Sequence, residues 1–364
     1  MKNILLAAFI FVYSFAFSQD AATEEHYVYP VSPYAAIDNF AEKVEYKDDI
    51  RLLSYDLTEN YSTQLEKARA IFIWVIHNIA YDYKVLNKKK LKRDFFECKK
   101  KENCNIEYAK WEDNYLKKVI HTRKGICDGY ARLFKKLCDH AGIQGSLVNG
   151  YTKSRPEEIG KMGRLNHSWN VMLIDGKYYY LDATWAAGGC ARNKKGKYVK
   201  FYPHFEEYYW LTPIEKMSRD HFPADEEWIR DKPYETAKKT YRDNAYIGQT
   251  EIQRLDILSP DSGILNVCEG DTIKIRFRYH KRLFRHLQVN TNIKSNPNPW
   301  KWSDDYQSLD PDILEEQQYI PFKFDLKSDS YSFTYVVNSK KLKHIDVLID
   351  YRHALRFKIN VMKP

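Results

Sequence analysis

The pair Asp175-Gly176 constrains this chain more than any other feature, because it separates two alternating apolar and polar runs at residues 167–174 and 177–183. Asp-Gly in that setting signals a two-residue hairpin, since both residues tolerate the positive φ that matches the twist of the flanking strands. With a two-residue turn, Ile174 pairs with Lys177, and counting outward puts His167 opposite Thr184 and Trp169 opposite Asp182. His167 and Asp182 then become diagonal neighbours on one face, with Cβ atoms roughly 7 Å apart or somewhat less. A slip of one residue would send them to opposite faces.

A cysteine completes the set. In Gly125-Ile126-Cys127-Asp128-Gly129-Tyr130-Ala131 the sulfur falls where a helix should begin. Residues 127–141 place Tyr130, Leu133, Phe134, Leu137, Cys138 and Ala141 on one stripe, and Gly142 stops the pattern. A helix start offers unpaired N–H groups and the positive end of the dipole, a setting that favours thiolate. The Cys127 amide is the expected oxyanion donor. Cysteine, histidine and carboxylate together form a nucleophile, a base and the group that orients the base. Asp128, Gly129, Trp169 and Trp185 flank the three and are the expected cleft residues. The other histidines, His221 among them, lack such partners and read as structural or surface residues.

Upstream, Thr63-Gln64-Leu65-Glu66 is a capping box, and Leu65, Ala68, Ile71, Phe72, Val75 and Ile79 predict a helix over 64–80 with one face in the core. Residues 35–44 read as a short amphipathic helix and 114–122 as another. Residues 144–153 read as a strand, and Thr212-Pro213-Ile214-Glu215 starts a further helix. From about residue 250 the texture becomes short β-rich runs at 272–279, 331–337 and 345–351, which predicts an immunoglobulin-like sandwich over 250–364.

Residues 1–18 read as a secretory signal peptide: a basic start, an apolar run through Phe17, then Ala16-Phe17-Ser18 as the cleavage site. The expected mature protein is exported, to a periplasm or beyond it, with no membrane span. Losing Lys2 lowers the net charge from +9 to +8. Much of the excess lies between Lys84 and Lys101, in Lys88-Lys89-Lys90, Lys92-Arg93 and Lys99-Lys100-Lys101. This stretch is either a contact for an acidic polymer or a solvated insertion. The second reading is favoured, because no aromatic platform accompanies the charge, and no nucleic-acid partner is expected. Of the six cysteines, Cys138 reads as a buried thiol. Cys98 and Cys104 can close a small loop, and Cys190 and Cys268 are a weaker candidate pair. No cofactor motif and no clustered metal ligands occur.

Two further motifs, Asn166-His167-Ser168-Trp169-Asn170 and Leu181-Asp182-Ala183-Thr184-Trp185, join the cysteine motif in a pattern that resembles the transglutaminase-like superfamily. More narrowly it is similar to the branch named for the kyphoscoliosis peptidase. Residues 66–75, Tyr209-Trp210-Leu211-Thr212 and His221-Phe222-Pro223 fit that branch, so the resemblance spans about 45–230. It implies an α+β fold of papain-like type, with the cysteine on a helix packed against an antiparallel sheet. It also implies Cys127 as nucleophile, His167 as base and Asp182 as orienter. The expected order is a leader at 19–45, a transglutaminase-like domain at 46–245 and the β-sandwich. The expected activity is acyl transfer at amide bonds of a protein, peptide or cell-wall-type substrate, by a peptidase, amidase or transglutaminase. The rival is a non-catalytic surface scaffold that contacts partners or glycans, with Trp300 and Trp302 as candidate contacts. The insertion between Tyr83 and Trp111 departs from the family pattern and bears on access to the cleft.

Overall fold

The computed structural model describes residues 32–88, 96–98, 101–193, 195–280, 284–302 and 307–363. The expected signal peptide and most of the lysine-rich stretch lie outside them. Helix α1 (Ala35–Ala41) is followed by α2 (Ile50–Thr58), which the sequence reading missed; Asp49 caps α2 by accepting from the Arg51 and Leu52 amides. Helix α3 (Gln64–Asn78) opens on the capping box, with Thr63 and Glu66 satisfying each other's backbone N–H groups.

Helix α3 is buried on every side from Ala68 to Ile76 rather than along one stripe. The physical reason is that α1 and α2 pack against it, along with the helix that carries Cys127. One consequence is a fully buried cation. Arg69 is 0% exposed and forms paired hydrogen bonds to Asp38 (2.7 and 2.7 Å) and to Glu207 (2.8 and 2.9 Å).

Strand β1 (Ala80–Tyr81), the one-turn helix α4 (Tyr83–Leu86) and helix α5 (Cys104–Thr122) follow. The expected helix at 114–122 thus begins earlier, at Cys104, which is disulfide-bonded to Cys98. Arg123 ends α5 in the left-handed region, and strand β2 (Lys124–Gly125) pairs in parallel with β1. Helix α6 (Cys127–His140) then lies across an antiparallel sheet of order β5-β4-β3-β8. Its strands are β3 (Gln144–Thr152), β4 (His167–Ile174), β5 (Lys177–Leu181) and β8 (His221–Pro223), with β6 (Gly188–Arg192) and β7 (Tyr198–Pro203) forming a separate hairpin.

Beyond residue 245 a second core forms between two sheets. One is ordered Leu255–Ser259, Thr272–Tyr279, Ser330–Val336, Lys323–Asp325. The other is ordered Ile264–Val267, Arg352–Val361, His344–Ile349, Leu287–Thr291. Ile275, Phe277 and Phe333 of the first meet Val347, Leu355 and Phe357 of the second in one apolar cluster. Trp300 sits half-buried in a short hairpin strand, with the Arg352 guanidinium 5.2 Å from its ring centre. Cys190 and Cys268 are both free thiols, so they do not pair, and Cys138 is fully buried.

Candidate active site

Cys127 is the first residue of α6 and is 9% exposed. The preceding Ile126 is extended and provides no side-chain cap. The first N–H groups of the helix therefore keep no side-chain acceptor of their own and stand beside the sulfur. From strand β4, Asn170 donates to the Ala131 carbonyl at 3.0 Å, fixing this end of the helix to the sheet.

The hairpin has the register read from sequence: Ile174 pairs with Lys177, and Asn170 with Leu181. Asp175 and Gly176 have φ of 50° and 74°, the turn conformation Asp-Gly favours. Strand β5 ends at Leu181, however, instead of reaching 183. Asp182 is the N-cap of a one-turn helix, α7 (Ala183–Ala186). Its two oxygens divide the work: Oδ1 accepts from the Thr184 and Trp185 amides at 2.8 and 3.2 Å, while Oδ2 faces His167 Nε2 at 2.6 Å. Capping fixes the carboxylate, and the fixed carboxylate aims the imidazole.

With Nε2 directed at Asp182, His167 has Nδ1 left for its hydrogen bond with Cys127. Burial disfavours the imidazolium, but Asp182 and Cys127 outweigh it and lift the His167 pKa to about 10. Burial likewise works against charge on Asp182, yet His167 and His221 hold it well below the usual carboxylate range. The two shifts point the same way, towards a charged pair.

His221, read from sequence as structural or surface, stands at the centre of the site. Its Nε2 is 3.1 Å from Asp182 Oδ2, and its Nδ1 is 2.6 Å from Asp220 Oδ1. Asp220 Oδ2 in turn accepts from the Tyr209 hydroxyl at 2.9 Å. Burial opposes a charge on His221, but Asp220 and Asp182 raise its pKa nonetheless. A buried chain of groups therefore runs from Cys127 through His167, Asp182 and His221 to Asp220 and Tyr209. The His221-Phe222-Pro223 motif marked the position, but not its role, because β8 joins the sheet by pairing with β3 and brings its histidine from 39 residues away.

The four expected cleft residues divide. Asp128 lines a cleft of about 430 Å³ at whose wall Cys127 and His167 meet. Gly129 is buried against α5: a Cβ there would lie 3.2 Å from both Tyr115 and Val119. Trp169 is 2% exposed, with its ring centre 6.0 Å from that of His167 and 5.1 Å from that of His221. Trp185 is half-buried, with its ring centre 4.6 Å from His221 and 5.6 Å from His167. The two tryptophans thus enclose the imidazoles rather than line the cleft.

The cleft's other wall is aromatic, a feature the sequence reading did not single out. Phe96, Tyr108, Trp111 and Tyr115 form one cluster facing it, with Trp111 stacked on Tyr115 at 5.4 Å. The signal was present: positions 108, 111 and 115 have helical spacing. It goes unused because the lysines mark the segment as a solvated insertion, which leaves only 114–122 as helix.

Among the described residues, His167, Asp182 and His221 bring potential ligand atoms within 4.8 Å of one another. Asp182 Oδ2 already receives both imidazoles, so a cation there would have to displace their N–H protons.

Residues 51–183 match the family model described as the transglutaminase-like superfamily. Kyphoscoliosis peptidase of Mus musculus is 28% identical over 253 residues, which is 67% of this chain and 34% of that protein. Kyphoscoliosis peptidase of Homo sapiens is 29% identical over 244 residues, 65% of this chain and 32% of that protein. The chain thus spans about a third of the length of these curated relatives. The crystal structure of a TGase aligns at 18% identity over 48% of this chain and 38% of that chain, with a TM-score of 0.26. The chain contains a transglutaminase-like domain and has kyphoscoliosis peptidases as homologues. Cys127, His167 and Asp182 fall inside the matched residues, and His221 falls outside them.

Proposed function

Starting from a transglutaminase-like domain, we propose that this chain is an exported, cysteine-dependent acyl-transfer enzyme acting on amide bonds of proteins or peptides. Cys127 is the nucleophile, His167 the acid and base, and Asp182 its orienting carboxylate. The observation that carries this reading is one imidazole shared between the sulfur and a capped, buried carboxylate, at the wall of a cleft.

In the first step the Cys127 sulfur bonds to the amide carbon, and the carbonyl oxygen gains negative charge beside the N–H groups at the α6 terminus. His167 gives its Nδ1 proton to the nitrogen as the C–N bond breaks, so a neutral amine leaves and a thioester remains. In the second step His167 takes a proton from water, the resulting hydroxide bonds to the thioester carbon, and the C–S bond breaks to regenerate thiolate. An amine in place of water would give transamidation. Hydrolysis is the favoured outcome, since the cleft opens to solvent beside Leu165, which is 48% exposed. The C-terminal two-sheet unit serves on this reading as an immunoglobulin-like targeting module.

The test is the pH dependence of Cys127 alkylation by iodoacetamide, read by mass spectrometry beside His167→Ala. Fast labelling well below pH 8 that is lost in the variant supports the reading. An ordinary thiol profile, slow and identical in both proteins, overturns it.

A further inference from the structure

Resting on that reading, we propose that the cleft selects substrates by an aromatic or other large apolar side chain on the acyl side of the scissile amide, received by Trp111, Tyr115 and Tyr108. The orientation follows from the proton transfer. His167 must reach the leaving nitrogen, so the amine half of the substrate lies on the β4 side of the sulfur. The acyl half then lies across Cys127, against α5.

The wall it meets is chemically uniform. Phe96 packs edge-on against Tyr108 at 5.3 Å, Tyr108 lies 5.8 Å from Trp111, and Trp111 stacks on Tyr115 with planes 7° apart. All four rings are half-buried, each keeping some surface exposed. The disulfide between Cys98 and Cys104 ties the segment bearing Phe96 to the start of α5. A cleft of about 430 Å³ has room for a large side chain with flanking backbone.

Charge at the cleft points to a neutral side chain. Arg132, on the same side as the rings, is already engaged. Its Nε donates to both Asp128 oxygens at 2.9 Å, and its Nη1 donates to Glu112 at 3.3 Å and to the Tyr108 hydroxyl. The guanidinium also lies 5.2 Å from the Trp111 ring centre, which fixes that ring. Among the described residues, two carboxylates against one guanidinium leave no spare positive charge on this wall for an acidic side chain. Neither does a free carboxylate invite a basic one, because Asp128 and Glu112 both face Arg132. Burial of apolar surface and ring stacking remain as the sources of selectivity.

The experiment compares N-capped dipeptidyl chloromethyl ketones ending in Phe, Ala or Asp on the full chain. In each the Cys127 sulfur bonds to the methylene carbon and chloride leaves. Every labelling rate is divided by the same protein's iodoacetamide rate, which separates recognition from intrinsic thiol reactivity. The expected result is a normalised rate about 10-fold or more higher for Phe than for Ala, from roughly one ring's worth of apolar contact. Asp should be slowest. The Phe-to-Ala ratio should collapse towards one in Trp111→Ala and survive in Trp111→Phe. Equal normalised rates for Phe and Ala, or a ratio indifferent to Trp111→Ala, overturn the substrate class while leaving the acyl-transfer reading in place. An ordinary, slow iodoacetamide profile overturns both.

Discussion

His221 Nε2 lies 3.1 Å from Asp182 Oδ2, the oxygen that also faces His167 Nε2 at 2.6 Å. One carboxylate oxygen accepts two N–H donors only if both imidazoles carry hydrogen on Nε2, and a second carboxylate on Nδ1 of His221 calls for a proton there as well, the imidazolium form. For His221, with Asp220 against its other nitrogen, that means two buried carboxylates share one imidazole. The acid–base residue is therefore oriented by a carboxylate that is itself oriented, both by its capping of α7 and by a second histidine.

His221→Phe keeps the ring volume and removes both hydrogen bonds, leaving Asp220 buried beside Tyr209 alone. Breaking a buried pair by removing one partner costs about 3–5 kcal/mol. Urea unfolding should show that loss, and the double variant His221→Phe/Asp220→Leu should recover part of it. A double variant no more stable than the single would show that the pair is not the stabilising unit.

The pH dependence of stability has a definite sign. The native His167 pKa is raised to about 10, against roughly 6.5 in an unfolded chain. Above about 6.5 the native state then binds more protons than the unfolded one, so stability is full below that pH and declines as pH rises towards the native value. Cys127→Ala removes the thiol titration from the comparison. In that background the urea midpoint should fall between pH 6.5 and the alkaline range, and adding His167→Gln should flatten the slope. A midpoint that rises with pH would contradict the charged pair.

Gly150 pairs with His167 on one side and Pro223 on the other, so it lies between the strands that carry both histidines. A Cβ there would stand 2.2 Å from the Phe222 carbonyl oxygen and 2.3 Å from the Trp169 ring. Neither can yield without moving β8 or the tryptophan that encloses His221. Gly150→Ala should cost about 3 kcal/mol, at the upper end for overpacking, and should slow Cys127 alkylation. A variant with wild-type stability and labelling would mean the strands separate freely.

Arg69 joins α1 to the turn at Glu207 through paired hydrogen bonds to two carboxylates. Arg69→Met should destabilise by about 3 kcal/mol, towards the low end for a buried pair because Asp38 and Glu207 are partly exposed and can regain water. Arg69→Lys should recover little, since an ammonium cannot match two carboxylates in paired geometry. Thermal unfolding of the two variants checks both statements.

What was legible in the sequence was whatever depends on neighbours along the chain. The Asp175-Gly176 turn set the register that brings His167 to Asp182. The Thr63 box started α3, and the stripe ending at Gly142 bounded α6 with Cys127 at its head. The β-rich runs beyond residue 250 were also visible, because an alternating pattern of buried side chains is written residue by residue.

Tertiary structure decided the rest. Which strand would lie beside β3 depended on long-range pairing, and that pairing delivered His221 and Asp220 to a carboxylate already committed to His167. Helix α3 became buried on all sides only once its neighbours closed around it, and Arg69 then needed two partners distant in sequence. The aromatic wall of the cleft required α5 to pack beside α6. Turn chemistry and periodicity are local properties, fixed by steric fit within a few residues. A buried polar group, by contrast, must find its partners wherever the fold brings them, so the second half of the site is determined only when the chain has closed.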